Sequence, residues 1–352
     1  MKPPSKILVV ATRRIGDVLL ATPLIRSLKN AWPGSTIDVL VFEGTEGILE
    51  GNPDIHSVLT VPHRPGLPFH LRFLSRLWKR YDLALSAMPG DRPTLYAFVS
   101  GKKSIGVVLE GKGHLWKKKL LSEWTPFDQE NHTVLAYLQL ATLLDIEPCY
   151  EVVTAWREND EKAAGKWIPP GDFAVLHVYP MYAYKMWKKE SWIALAKWLK
   201  NQDMKIVLTG GKSEAEKAYI NSLLPFLPDD TVDASGKLSL GGVACLLSRA
   251  KAYVGPDTAV THMAAAAGIP TLALFGPSNP VKWGPWPKGF KKNPYKMKGS
   301  QHAGNVHLLQ GKGDCVPCLE EGCERHVGSS SACLQNLPVI DAIEALKILL
   351  NK

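Results

Sequence analysis

Short apolar runs alternate with longer amphipathic ones along the whole chain, a rhythm that predicts strand and helix in turn. In the first half Ile7 to Ala11, Ile37 to Phe42, Val58 to Val61, Leu83 to Ala87 and Ile105 to Val108 read as strands. The spacing of Leu19, Leu20, Leu24, Ile25 and Leu28 predicts one helix over Val18 to Ala31, ended by Pro33-Gly34. The second half repeats the rhythm, with strands at Phe173 to Val178, Lys205 to Thr209, Ala252 to Gly255 and Thr271 to Phe275. Helices are predicted near 190–200, 213–223, 239–249 and 258–267, with a terminal one from Pro338 to Leu350. Such alternation implies α/β domains built on doubly wound parallel sheets.

With 352 residues, two domains of ordinary size are expected. The polar stretch from Arg157 to Gly171 is the natural joint, giving Rossmann-like domains over 1–160 and 161–352, the second carrying a Cys-containing loop and the terminal helix. Two such domains facing across a cleft would bind ligands at the carboxyl ends of their strands. The first apolar run is too short for a signal-peptide core, so a cytoplasmic chain is expected. The uncharged stretch Thr258 to Val281 is interrupted by Gly268, Pro270, Gly276, Pro277 and Pro280, and reads as buried helix, turn and strand.

Two strand-to-helix turns carry candidate chemistry. Thr12-Arg13-Arg14-Ile15-Gly16-Asp17 puts Asp17 at a helix start, where a carboxylate is either an ordinary cap or a general base for a hydroxyl nucleophile. Val254-Gly255-Pro256-Asp257-Thr258-Ala259-Val260-Thr261-His262 offers backbone N–H groups and a positive dipole end to a diphosphate. Asp257 and Thr258 read equally as caps, and His262 as a core histidine. Neither turn has the Gly-x-Gly-x-x-Gly spacing of dehydrogenases, and no nucleoside-triphosphate loop is present.

Charge changes the picture locally. Residues 63–119 hold 12 Lys or Arg against 3 Asp or Glu, an excess equal to the net charge of +9 for the whole chain. A confined basic region predicts a docking surface for something anionic. Within it His70 to Arg80 sets Arg72, Arg76 and Lys79 or Arg80 beside Phe73, Leu74, Leu77 and Trp78, which suits an interfacial helix or a helix packed on the sheet with solvated charges outside. Cys315-x2-Cys318-x4-Cys323-x9-Cys333 is a possible structural zinc site that would pin the loop after residue 299, while Cys149 and Cys245 stand alone.

Together, Arg13 to Pro23 (Arg-Arg-Ile-Gly-Asp-Val-Leu-Leu-Ala-Thr-Pro), Gly255 to Ala266 and Leu274-Phe-Gly-Pro-Ser278 resemble the lipopolysaccharide heptosyltransferase family. Asn52-Pro53-Asp54-Ile55 leans toward its heptosyltransferase III branch. The resemblance spans nearly the whole chain and implies the two-domain GT-B architecture, ADP-heptose as donor, a lipopolysaccharide core acceptor, inversion at the anomeric carbon and no metal or other cofactor for catalysis. It implies Asp17 as the base, Lys185 as a cation for the donor diphosphate, Glu214 near the ribose with Glu216 as its competitor, and Asp257, Thr258, Ala259 and His262 around heptose and diphosphate. It also implies acceptor-phosphate or inner-membrane contacts through Arg13, Arg14, Arg72, Arg76, Lys102, Lys103, Lys117, Lys118 and Lys119, with no nucleic-acid partner. Two departures bear on the donor: the bulky loop Tyr179-Pro-Met-Tyr-Ala-Tyr184, and Ala259 where glycine is common. Transfer of another nucleotide-hexose, a sugar-nucleotide epimerase or hydrolase, and a non-catalytic nucleic-acid-binding protein are the competing readings.

Overall fold

The computed structural model describes residues 3–351. Its contacts divide the chain into two compact units, Met1–Ala155 and Trp156–Lys352.

The first unit is a six-stranded parallel sheet of β1 (Lys6–Val10), β2 (Thr36–Phe42), β3 (Ser57–Val61), β4 (Tyr81–Ser86), β5 (Gly101–Val108) and β6 (Glu123–Pro126). Their order, β3-β2-β1-β4-β5-β6, is doubly wound and reverses direction between β1 and β4. Ile7 to Val10 are buried on both faces, which is why β1 reads as an unbroken apolar run rather than an alternation. The helices are α1 (Ile15–Leu19), α2 (Thr22–Ala31), α3 (Leu67–Leu77), α4 (Asp91–Ser100), α5 (Leu115–Leu120) and α6 (Thr133–Leu143). The single helix expected over Val18 to Ala31 is in fact two. Pro23 has no N–H to return to the Leu19 carbonyl, and the Thr22 hydroxyl donates to that carbonyl instead, at 2.7 Å.

The second unit is a seven-stranded sheet of β7 (Phe173–His177), β8 (Lys205–Thr209), β9 (Val232–Asp233), β10 (Ala252–Pro256), β11 (Thr271–Phe275), β12 (Gln301–Ala303) and β13 (Val306–Gln310). The order is β12-β13-β11-β10-β7-β8-β9, parallel except for the edge strand β12, and it reverses between β7 and β10. Its helices are α7 (Glu158–Gly165), α8 (Lys189–Lys200), α9 (Glu214–Leu223), α10 (Leu240–Ser248), α11 (Ala259–Ala267), α12 (Pro280–Trp283), α13 (Ala332–Gln335) and α14 (Val339–Leu349). The stretch expected as a joint begins with a helix: α7 packs on α10 and is tied to this unit by a Ser239–Asp160 hydrogen bond and an Arg249–Glu161 ion pair. Trp187, Trp192, Leu195 and Leu199 fill one core layer together with Leu346 of α14.

Candidate functional site

In the first unit α1 starts directly after β1, and its N-cap is Arg14, not Asp17. Asp17 lies in the first turn, buried, with its carboxylate accepting the Arg14 backbone N–H. Arg13 Nε stands 3.7 Å from Oδ2, and the buried Tyr137 hydroxyl of α6 donates to Oδ1 across 3.5 Å. Burial raises the Asp17 carboxyl above its ordinary value, against the opposing pull of Arg13, Arg14 and the Tyr137 hydroxyl. A carboxylate whose proton affinity is raised has a property that a general base needs. A cap role and a catalytic role would be compatible at this position, because one oxygen satisfies the helix start while the group stays at the carboxyl end of β1, beside the switch in strand order. Tyr137 lies 120 positions away, and no spacing rule could have connected it to Asp17.

In the second unit two loops border the switch point. After β7 the chain runs through Tyr179 to Lys185; after β10 it turns at Asp257 into α11. Lys185 Nζ donates to Asp257 Oδ2 at 2.6 Å and to the Asp257 backbone carbonyl at 3.3 Å, and both side chains are mostly buried, 17% and 10% exposed. Burial alone would raise the Asp257 carboxyl, but Lys185, His262 and hydrogen bonds from Lys185 and Ser278 bring it below its ordinary value. Asp257 is therefore committed to Lys185 rather than to a cap. Thr258 is the N-cap residue, yet its side chain makes no cap bond and meets the Thr261 hydroxyl at 3.2 Å. The Thr258 side chain does not cap α11, whose first helical residue is Ala259, and the first-turn N–H groups of a helix, which have no partner within it, suit an anion.

His262 lies buried one turn into α11, with Nε2 4.0 Å from Asp257 Oδ1 and a buried Nδ1 that has no hydrogen-bond partner. Burial pushes its pKa down to about 4, so the ring is neutral at physiological pH and one nitrogen can donate. His177, at the end of β7, is also held down at about 4 by burial, with Nδ1 3.1 Å from the Thr209 hydroxyl.

The structure separates the two glutamates. Glu214 is 89% exposed, pairs with Lys217 at 2.8 Å and joins none of these groups. Glu216 is buried against Gly210-Gly211 at the end of β8; a Cβ at either glycine would sit 2.7 Å from its carboxylate. Ser213 caps α9 by accepting the Glu216 N–H, so Glu216 occupies the third helical position and turns back toward the helix start. That Ser-x-x-Glu spacing is the sequence signal that would have placed Glu216 at the helix start.

The cysteine segment does a different job from the expected one. Among the described residues no three His, Cys, Asp or Glu side chains are disposed to hold a metal ion, so the zinc expectation for Cys315, Cys318, Cys323 and Cys333 is not met. Cys315 and Cys323 are exposed, while Cys333 packs against Gly276 and Leu334; burial and the neighbouring thiols push its pKa up to about 11. The segment instead braces the Lys185 loop. Ala183 N–H donates to the Val327 carbonyl, the Gln335 amide to the Met186 carbonyl at 2.9 Å, and Trp187 Nε1 to the Leu337 carbonyl at 2.9 Å. Within the bulky loop, Tyr182 stacks on Tyr184 and Tyr179 leans on Tyr219.

The basic candidates also divide. Lys102 pairs with Asp82, Lys103 with Glu123 and the buried Lys117 with Asp91, so these three are structural ion pairs rather than a free cationic surface. Lys118 lies over the Trp124 ring at 4.1 Å. Arg72, Arg76 and Lys119 are exposed, and none is paired with a carboxylate among the described residues. Arg13 and Arg14 act on Asp17.

The profile of glycosyltransferase family 9 (heptosyltransferase) matches residues 79–302. The chain belongs to that family. It is thus a glycosyltransferase of the heptosyltransferase type. A lipopolysaccharide heptosyltransferase 3 of Escherichia coli is 26% identical over 290 residues, 77% of this chain and 83% of the relative. Two solved structures share the Rossmann-like, two-sheet fold. A family 9 glycosyltransferase of Veillonella parvula superposes with a TM-score of 0.78 at 19% identity, covering 100% of this chain and 99% of that one. The E. coli heptosyltransferase WaaC with ADP gives 0.68 at 22% identity, covering 88% and 94%.

Proposed function

We propose that this glycosyltransferase moves heptose from ADP-heptose to a lipopolysaccharide core acceptor with inversion, by a displacement that uses no metal ion. The observation that carries the donor half is the Lys185–Asp257 pair beside the start of α11 at the second unit's switch point. That arrangement suits a diphosphate, which is the feature common to ADP and its sugars. A family relative solved with ADP supports the same nucleotide.

In this reading Asp17 takes the proton of the acceptor hydroxyl as its oxygen attacks the anomeric carbon, and the bond from that carbon to the diphosphate breaks with its electron pair leaving on ADP. Lys185 and the α11 dipole stabilise the charge that develops there, the role a cation plays in related transfer chemistry. Neutral His262 donates to the diphosphate or to the sugar through its free ring nitrogen, and Asp257 orients Lys185 while accepting from heptose hydroxyls. Thr258 and Ala259 line the same turn. Glu216, rather than Glu214, receives the ribose hydroxyls. Arg13 and Arg14 hold Asp17 and meet acceptor phosphate, and the lipid anchor of such an acceptor places the chain on the inner face of the membrane from the cytoplasmic side.

Calorimetric titration with ADP-heptose, ADP, UDP-glucose and duplex DNA at physiological salt, without added metal, tests this. Preference for ADP-heptose is expected. Binding confined to another sugar nucleotide would change the donor, and binding confined to DNA would sink the transferase reading.

A further inference from the structure

The sequence left α3 with two fates, packing on the sheet or lying in an interface, and the structure gives it both surfaces. Phe73, Leu74 and Leu77 turn inward onto a core containing Tyr81, Tyr96 and Ala97. A second apolar set does not. Leu67 is 71% exposed, Leu71 60% and Trp78, at the helix end, 61%, and Phe69 is exposed as well. Leu67, Leu71 and Trp78 stand at i, i+4 and i+11, so they form a single stripe at 3.6 residues per turn.

Leu115 and Trp116 of α5 are the other large exposed apolar pair in this unit. The connections β3 to β4, β4 to β5 and β5 to β6 all step in one direction along the sheet, so right-handed crossovers put α3, α4 and α5 on one face. Both α3 and α5 pack against α4. Three of the four exposed aromatic residues among the described ones, Phe69, Trp78 and Trp116, therefore lie on this face. Around them Arg64, Arg72, Arg76, Arg80, Lys112 and Lys119 are exposed, and none is paired with a carboxylate among the described residues.

We infer that the α3–α5 face of the first unit docks on an anionic lipid bilayer. Exposed leucine and tryptophan flanked by unpaired arginine and lysine match a headgroup layer, where the apolar tips enter the acyl boundary and the cations meet lipid phosphates. The charge argument selects lipid over a second copy of the chain, because two copies of a face with this cation excess would repel. No helix among the described residues is long and apolar enough to cross a membrane, so the contact is one of lying on the surface. The inference gives the acceptor reading a place to meet its substrate, but its test uses neither donor nor acceptor.

The experiment is co-sedimentation of the full chain with vesicles of phosphatidylcholine, alone or mixed with phosphatidylglycerol, with thermal melts of the same samples as the control for folding of the first unit and ADP titration as the control for the donor site in the second. Wild type is expected to bind the anionic vesicles and to release as salt rises. Leu67→Ser/Leu71→Ser/Trp78→Ser should weaken binding at least about tenfold through lost apolar insertion. Arg72→Glu/Arg76→Glu should weaken it by about 25-fold or more, about fivefold for each cation near the surface, while leaving ADP affinity unchanged. No vesicle binding, or binding indifferent to the serine variant, overturns the inference. So does a concentration-dependent dimer that the serine variant abolishes, which would assign the face to a second copy. Failure of ADP binding with intact vesicle binding would count against the transfer reading alone.

Discussion

Replacing Lys185 by Met keeps the length of the side chain and removes its charge, which should produce two effects with different remedies. The first is on stability. Lys185 Nζ lies 2.6 Å from Asp257 Oδ2 with little solvent access to either group, and the other neighbours of that carboxylate are Ser278 and a neutral His262. Removing one member of a fully buried pair costs about 3–5 kcal/mol, and the residual exposure here lowers the expectation to about 2–3 kcal/mol at neutral pH. For a unit of this size that corresponds to a fall in melting temperature of roughly 4–12 °C.

The pH dependence has a definite sign. In the wild type the Asp257 pKa is depressed, so its contribution is present above the ordinary carboxylate pKa and lost as pH falls through the lower folded value. In the variant burial dominates, the pKa rises, and the deficit should shrink on acidification as Asp257 takes up a proton. The second effect is on the donor: without the ammonium, ADP should bind about 30- to 150-fold more weakly, again about 2–3 kcal/mol. Adding Asp257→Asn should restore most of the stability but none of the ADP affinity. Thermal melts and calorimetry on the four proteins of this cycle measure both terms. Equal ADP affinity in Lys185→Met, or rescue of both properties by the second substitution, would refute the reasoning.

Asp17→Asn should lower turnover by at least about 100-fold while ADP affinity changes by no more than a few-fold, measured by product formation and calorimetry on the same preparation. Wild-type kcat/KM should fall with acid at a pH above the ordinary carboxylate range, since burial raises Asp17, and Tyr137→Phe should move that limb higher by removing a donor to the charged form. Glu216→Gln should weaken ADP binding about tenfold and Glu214→Gln should leave it unchanged; the reverse order would return the ribose to Glu214. Stability should decline between about pH 6.5 and 4 with a slope of about 1.4 kcal/mol per pH unit for each of His177 and His262, because unfolding lets both depressed imidazoles take up protons. Denaturant titrations of wild type and His262→Gln across that range would expose one missing slope.

The strands were legible because both sheets bury them on two faces: Ile7 to Val10 and Phe173 to His177 are runs of buried residues. Polar edge strands such as β6, Glu123–Pro126, carried no such signal, since pairing with β5 rather than burial makes them strands. The break between α1 and α2 was written in Pro23 but hidden by an apolar period that continues across it. Asp17, Asp257 and His262 could be picked out because strand, tight turn and helix lie together in the sequence. Tyr137, Ser278 and the brace from Val327 and Gln335 onto the Lys185 loop could not, because they are joined to the site only by folding. The basic region misled in part for the same reason: a count of lysines does not reveal that Lys102, Lys103 and Lys117 have carboxylate partners.

What the fold adds to the two aspartates is a difference in environment. Each stands at the carboxyl end of a strand bordering its own sheet's switch point, and each lies by the start of a helix whose dipole favours an anion. Position alone would make them alike. Asp17 has a guanidinium at 3.7 Å, a phenol at 3.5 Å and the charge and backbone N–H of Arg14, which together do not offset burial, and its pKa rises. Asp257 has an ammonium at 2.6 Å, which offsets burial and drives its pKa down. Two carboxyls pushed apart in this way suit two roles, one that accepts a proton during reaction and one that stays charged to hold a cation in place. Shortening the gap at Asp17 should therefore be harmful: a lysine reaching it as closely as Lys185 reaches Asp257 would make it a weaker base, and Arg13→Lys is expected to lower the acid limb of the rate profile while reducing the plateau. An unchanged plateau with a lowered limb would mean that the proton transfer to Asp17 does not limit the rate.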